Sequence, residues 1–148
     1  MKLYLLRHGI AEDARPGQDD ADRPLTPEGI RRMEKAARGM LAVVPGLDRI
    51  LTSPLKRARQ TAEIVAAAFG MEAEACPDLS LDGDPRSALK GLDRDTSVLL
   101  VGHEPGLSVL AAGGPGRIEF RKGALARIDL PPGRLVWLMT NRQLRSLA

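Results

Sequence analysis

Two unbroken apolar runs, Leu3-Tyr4-Leu5-Leu6 and Val98-Leu99-Leu100-Val101, do most to restrict the folds open to this chain. Runs of this length and β-rich character fit strands buried on both faces, and such strands belong to parallel sheets covered by helices. The stretches between them carry helical signals instead. Thr26-Pro27-Glu28 supplies an N-cap, a proline at the first helical position and an acid in the first turn. Ile30, Met33, Ala37, Met40, Leu41 and Val44 then keep one face apolar until Pro45-Gly46. Ile50-Leu51 reads as a short strand, and Ser53-Pro54 repeats the cap-then-proline signal for a helix that buries Leu55, Ala62, Val65 and Phe69 and ends at Gly70.

Weaker signals give a strand over Ala73 to Cys76, a short helix over Pro85 to Leu92 and another over Leu107 to Ala112. Leu125 to Leu130 and Leu135 to Met139 flank Pro131-Pro132-Gly133 and predict a hairpin. Alternating strands and helices in 148 residues predict an α/β sandwich with a mostly parallel central sheet, as one domain over residues 1–148.

Charge and composition narrow the partners. With 22 Lys plus Arg against 19 Asp plus Glu the net charge is only +3, no basic stripe appears, and there are four aromatic residues in all, so no nucleic-acid partner is expected. No apolar stretch approaches the roughly 20 residues of a membrane span, so no membrane partner is expected either. Cys76 is the one cysteine, which excludes an internal disulfide and fits the cytoplasm.

Three candidate segments fall at equivalent places: Arg7-His8-Gly9 after the first strand, Ser53 to Arg57 after the second, and Gly102-His103 after the Val98 strand. In open α/β sheets ligands bind outside the carboxyl ends of strands, so both histidines of the protein are expected on one rim. A neutral imidazole is a nucleophile near neutral pH, and cations neutralise the equatorial oxygens of a phosphoryl group in transfer. Two histidines, Arg7, Arg57 and a helix start converging there read as a phosphate pocket.

The Arg-His-Gly triplet closing the first strand, here Leu5-Leu6-Arg7-His8-Gly9, resembles the hallmark of the histidine phosphatase superfamily. Arg23-Pro24-Leu25-Thr26 with Gly29, Ser53-Pro54-Leu55-Lys56-Arg57-Ala58-Arg59-Gln60-Thr61, and Val101-Gly102-His103-Glu104-Pro105-Gly106 look like that superfamily in the same order. Only 42 residues separate Gln60 from His103, which resembles the compact SixA type, the bacterial phosphohistidine phosphatases. The resemblance implies a three-layer α/β/α sandwich, phosphoglycerate-mutase-like but without a lid insertion. It implies His8 as the nucleophile that becomes a phosphohistidine, Arg7 and Arg57 as holders of the phosphoryl oxygens, and His103 as a donor to one of them. Gly9 would let the chain turn closely beside the phosphate.

Arg59 competes with Arg57, but positions two apart on a helix differ by about 200° and cannot share a pocket; the motif selects Arg57. Arg23 is expected to brace the loop of residues 10–23. The general acid is left open between Glu104, Glu12 and Asp13. Arg31, Arg32, Arg117 and Arg121 either flank a protein substrate or are solvated surface. A cysteine phosphatase is excluded because the position six after Cys76 is Asp82, and a helical zinc-protease motif because position 107 is Leu107. No metal and no cofactor is expected. The reading is a metal-independent phosphatase acting on phosphohistidine in a protein, with a small phosphorylated metabolite or a non-catalytic phosphate-binding module as alternatives.

Overall fold

Along the first strand, β1 (Lys2–Arg7), successive side chains leave the sheet on opposite faces, and both faces are buried. Tyr4 and Leu6 enter one core, Leu3 and Leu5 the other. In this computed structural model, which describes residues 1–148, the same alternation runs through β4 (Ser97–Gly102), where Leu99 and Val101 oppose Val98 and Leu100. The unbroken apolar runs are therefore the two central strands of a sheet covered on both sides.

That sheet has six strands, completed by β2 (Arg49–Thr52), β3 (Ala73–Ala75), β5 (Leu125–Asp129) and β6 (Arg134–Met139). Their order is β3-β2-β4-β1-β5-β6. The first four are parallel, while β5 and β6 run antiparallel as the expected hairpin. One face is covered by α1 (Pro27–Met40), α2 (Lys56–Phe69) and α4 (Asn141–Ser146), through Met33, Ala62 and Leu144 among others. The other is covered by α3 (Gly106–Ala112), by 3-10 turns at Pro77–Leu79 and Pro85–Leu89, and by Phe120. The three-layer α/β expectation holds, with a thinner second helical layer than the first.

Several local expectations are corrected. Thr26 caps α1 as expected, accepting from the Gly29 amide at 2.9 Å, but regular helix stops at Met40 and turns carry the chain to Val44. The second helix starts at Lys56 rather than Pro54, with Leu55 as a cap that offers no side-chain bond, while the Ser53 hydroxyl just ahead of it accepts the Leu55 amide at 3.2 Å. Pro85 to Leu92 yields only the 3-10 turn. Helix α4 was not expected, yet its capping box is written in the sequence as Thr140 and Gln143. No helix is long and apolar enough to cross a membrane.

Candidate active site

The parallel register aligns the carboxyl ends of three strands. Arg7 pairs with Gly102 and Thr52 with Val101, so His8, Ser53 and His103 are each the next residue out along the same rim. Backbone bonds fix that placement: the His8 amide donates to the Gly102 carbonyl at 3.2 Å and the Ser53 amide to the Val101 carbonyl at 2.9 Å. The two imidazoles lie with ring centres 5.1 Å apart, and each residue is only 6% exposed.

His8 is held in one tautomer. Its Nδ1 is 2.7 Å from the carbonyl oxygen of Gly9, which only accepts, so Nδ1 carries the proton and Nε2 keeps a lone pair. Burial, with further help from His103, Arg57 and Arg7, outweighs the Gly9 bond and lowers its pKa to about 3. Burial and then Arg57 lower that of His103 to about 4, against an opposing pull from Asp20. Both rings are therefore neutral at pH 7. The Nε2 atom of His103 lies 2.7 Å from Ser53 Oγ, and its Nδ1 is buried without a partner.

The two arginines are anchored from outside the pocket. Arg7 donates from Nη1 to the Phe120 carbonyl at 2.8 Å, and its buried Nε has no partner. Arg57, 4% exposed in the first turn of α2, donates from Nη1 to the Asp20 carbonyl at 2.9 Å and from Nη2 to the Asp20 carboxylate at 3.1 Å. Asp20 belongs to a 3-10 turn, Asp20–Asp22, within the loop of residues 10–23. Arg23 braces that loop as expected, through the Glu12 carbonyl at 2.7 Å and the Asp20 carboxylate at 2.8 Å. The hydrogen bond from Arg23 is the main reason the Asp20 carboxyl sits below its usual range. Arg59 points away, exposed and bonded to the Pro54 carbonyl.

Gly9 has a packing role in the fold. A Cβ there would come within 2.8 Å of Met33 Cγ on α1, so the glycine lets α1 approach the end of β1. Its amide donates to Thr61 Oγ1 at 3.1 Å, and Thr61 in turn donates to the Arg57 carbonyl at 2.8 Å, tying the His8 loop to the helix that carries Arg57.

Of the three acid candidates the structure brings only Glu104 to the cleft wall. One of its oxygens accepts from Ser108 Oγ at 2.6 Å and the other is buried without a partner. Asp13 is exposed, and neither Glu12 nor Asp13 has a side-chain hydrogen bond. Arg32 pairs with Glu28 and Arg121 with Glu119 on the surface. A cleft of about 330 Å³ adjoins His103, with Leu81, Pro85, Arg86 and Glu104 among its walls. No group of three or more His, Cys, Asp or Glu side chains is placed to hold a metal ion. Sequence reasoning missed Asp20, Ser53 as a partner of His103, and Thr61.

The family model for the histidine phosphatase superfamily (branch 1) matches residues 3–80, which hold Arg7, His8 and Arg57. This chain belongs to the histidine phosphatase superfamily. Over 160 residues it is 38% identical to an uncharacterized protein of Picosynechococcus, covering 95% of this chain and 96% of the relative. It is 31% identical to the phosphohistidine phosphatase SixA of Escherichia coli K12, covering 95% and 94%. A solved structure of the protein histidine phosphatase SixA complexed with tungstate superposes with a TM-score of 0.82 at 30% identity, covering 97% and 99%. As a histidine phosphatase of SixA type, the chain is a phosphatase-class hydrolase.

Proposed function

We propose that this protein hydrolyses phosphohistidine on a protein substrate through a covalent phosphohistidine at His8. The observation that carries the chemistry is the Nδ1–H···O=C bond to Gly9, which leaves Nε2 of a neutral, buried imidazole as the free nucleophile. In the first step the Nε2 lone pair attacks phosphorus, the bond to the leaving nitrogen breaks, and that nitrogen takes a proton. In the second, water attacks phosphorus, the P–Nε2 bond breaks, and inorganic phosphate departs. Arg7, Arg57 and His103 supply donors for the phosphoryl oxygens in both steps.

Support for a protein-borne substrate comes from the rim itself. Nothing longer than the short turns Pro77–Leu79 and Pro85–Leu89 stands between α2 and β4 to close over a ligand. The near end-to-end match with SixA, in sequence and in structure, points the same way. A second reading, a small phosphorylated metabolite, is favoured by the cleft beside His103, whose volume lies at the lower end of small-molecule sites.

Single-turnover hydrolysis of a phosphohistidine-bearing protein beside a panel of small phosphomonoesters, with wild type and His8→Ala, tests both. Preference for the phosphoprotein with an acid-labile phosphoenzyme that His8→Ala abolishes is the expected result. Faster turnover of one metabolite moves the substrate to the second reading. Phosphate binding without turnover on any substrate would sink the catalytic reading.

A further inference from the structure

Ser53 is the residue after β2 and is fully buried. Its hydroxyl oxygen accepts the Leu55 amide at 3.2 Å and lies 2.7 Å from Nε2 of His103, with no other partner in reach. The other ring nitrogen, Nδ1, is buried and unpartnered. Two proton arrangements fit these distances. If Nε2 carried the proton and donated it to Ser53, the hydroxyl hydrogen and the Nδ1 lone pair would both be buried unpaired. If the hydroxyl donates to Nε2, only the Nδ1–H is left open. Buried polar groups are costly to leave unpaired, so the second arrangement wins by one whole group.

We infer that Ser53 is a positioning residue whose hydroxyl holds His103 as the Nδ1–H tautomer, so that its one free nitrogen offers a proton to an oxygen of the bound phosphoryl group. The inference rests on the proposed phosphoryl site. It assigns the two histidines one tautomer and opposite uses. His8 turns its Nδ1–H to a carbonyl and keeps a bare Nε2, while His103 has its Nε2 lone pair filled by Ser53 and keeps an N–H. The other tautomer of His103 would present a lone pair to an oxyanion and repel it. Because His103 is neutral at pH 7, tautomer rather than charge decides what its ring offers.

The chain has two histidines, so long-range proton–nitrogen correlation spectra of untagged, uniformly labelled protein contain two ring systems, and His8→Ala assigns them. In phosphate-free buffer near neutral pH, His103 is expected to show a pyrrole-type Nδ1 and a pyridine-type Nε2, with the Nδ1–H proton shifting when inorganic phosphate is added. Ser53→Ala is expected to release the tautomer and to lower kcat/KM about 10- to 100-fold, the scale of residues that orient a functional histidine, with recovery in Ser53→Thr. A pyrrole-type Nε2 in the wild type overturns the inference, and that spectrum needs no variant to fold. So does an unchanged tautomer and unchanged kcat/KM in Ser53→Ala. Absence of His8-dependent turnover, by contrast, removes the functional reading while leaving the wild-type tautomer as measured.

Discussion

Asparagine in place of His8 removes a buried base whose proton affinity the fold suppresses, and the effect on stability follows from that suppression. In the unfolded chain His8 takes up a proton as the pH falls through 6.5, whereas in the folded protein it resists until about pH 3. Between those limits the unfolded state binds more protons, so acid favours unfolding and stability falls as the pH is lowered. From about pH 7.5 to about pH 5 the unfolded imidazole gains about 1.5 log units of proton binding that the folded one does not, which at about 1.36 kcal/mol per unit is about 2 kcal/mol. His103 acts in the same direction, but it is present in both proteins and drops out of the comparison. Urea unfolding at the two pH values measures the difference, and at a typical slope of about 2 kcal/mol per M the wild-type midpoint should fall by about 1 M more than that of His8→Asn. Equal losses in the two proteins would refute the reasoning, because His8 would then titrate alike in both states.

Other consequences can be checked separately. Arg57→Lys keeps a charge but loses the planar fork that Asp20 grips, and should lower kcat/KM about 100- to 1,000-fold with little change in far-ultraviolet circular dichroism. Thr61→Val strands the buried Gly9 amide and should cost about 1–3 kcal/mol, read as a lower urea midpoint. Gly39→Ala would drive a Cβ into the Leu144 carbonyl of α4, so α4 must shift off α1, and hydrogen exchange of Gln143 to Ser146 should accelerate.

The rim was legible because two kinds of signal coincided: β-rich runs that end abruptly, and a histidine just past the ends of β1 and β4. Helical geometry showed that Arg57 and Arg59 cannot both enter one pocket, and the motif resemblance then chose Arg57. Asp20 could not be found that way. It stands among Asp13, Asp19 and Asp22 in a polar stretch, and only the 3-10 turn braced by Arg23 brings it 37 positions along the chain to Arg57. Ser53 looked like a helix cap because serine before proline usually is one; its hydroxyl does accept the Leu55 amide ahead of α2, but it also meets a buried histidine across the rim, which no local signal announces. Helix α4 carries a single fully buried residue, Leu144, too little for a periodicity to register, although Thr140 and Gln143 mark its start.

Strand order has a bearing on how the enzyme comes into being. Strand β1, which His8 follows, precedes the other five strands in the chain but lies in the middle of the sheet, between β4 and β5. Its partner Ser97 follows Lys2 by 95 residues, about 5 to 20 s of synthesis at roughly 5–20 residues per second. Until β4 emerges, His8 lacks the Gly102 carbonyl that holds its amide, and His103 does not yet exist. A ribosome-bound fragment ending before His103 thus carries His8, Arg7 and Arg57 but no assembled pocket, so the site can form only after β4 and His103 have been made.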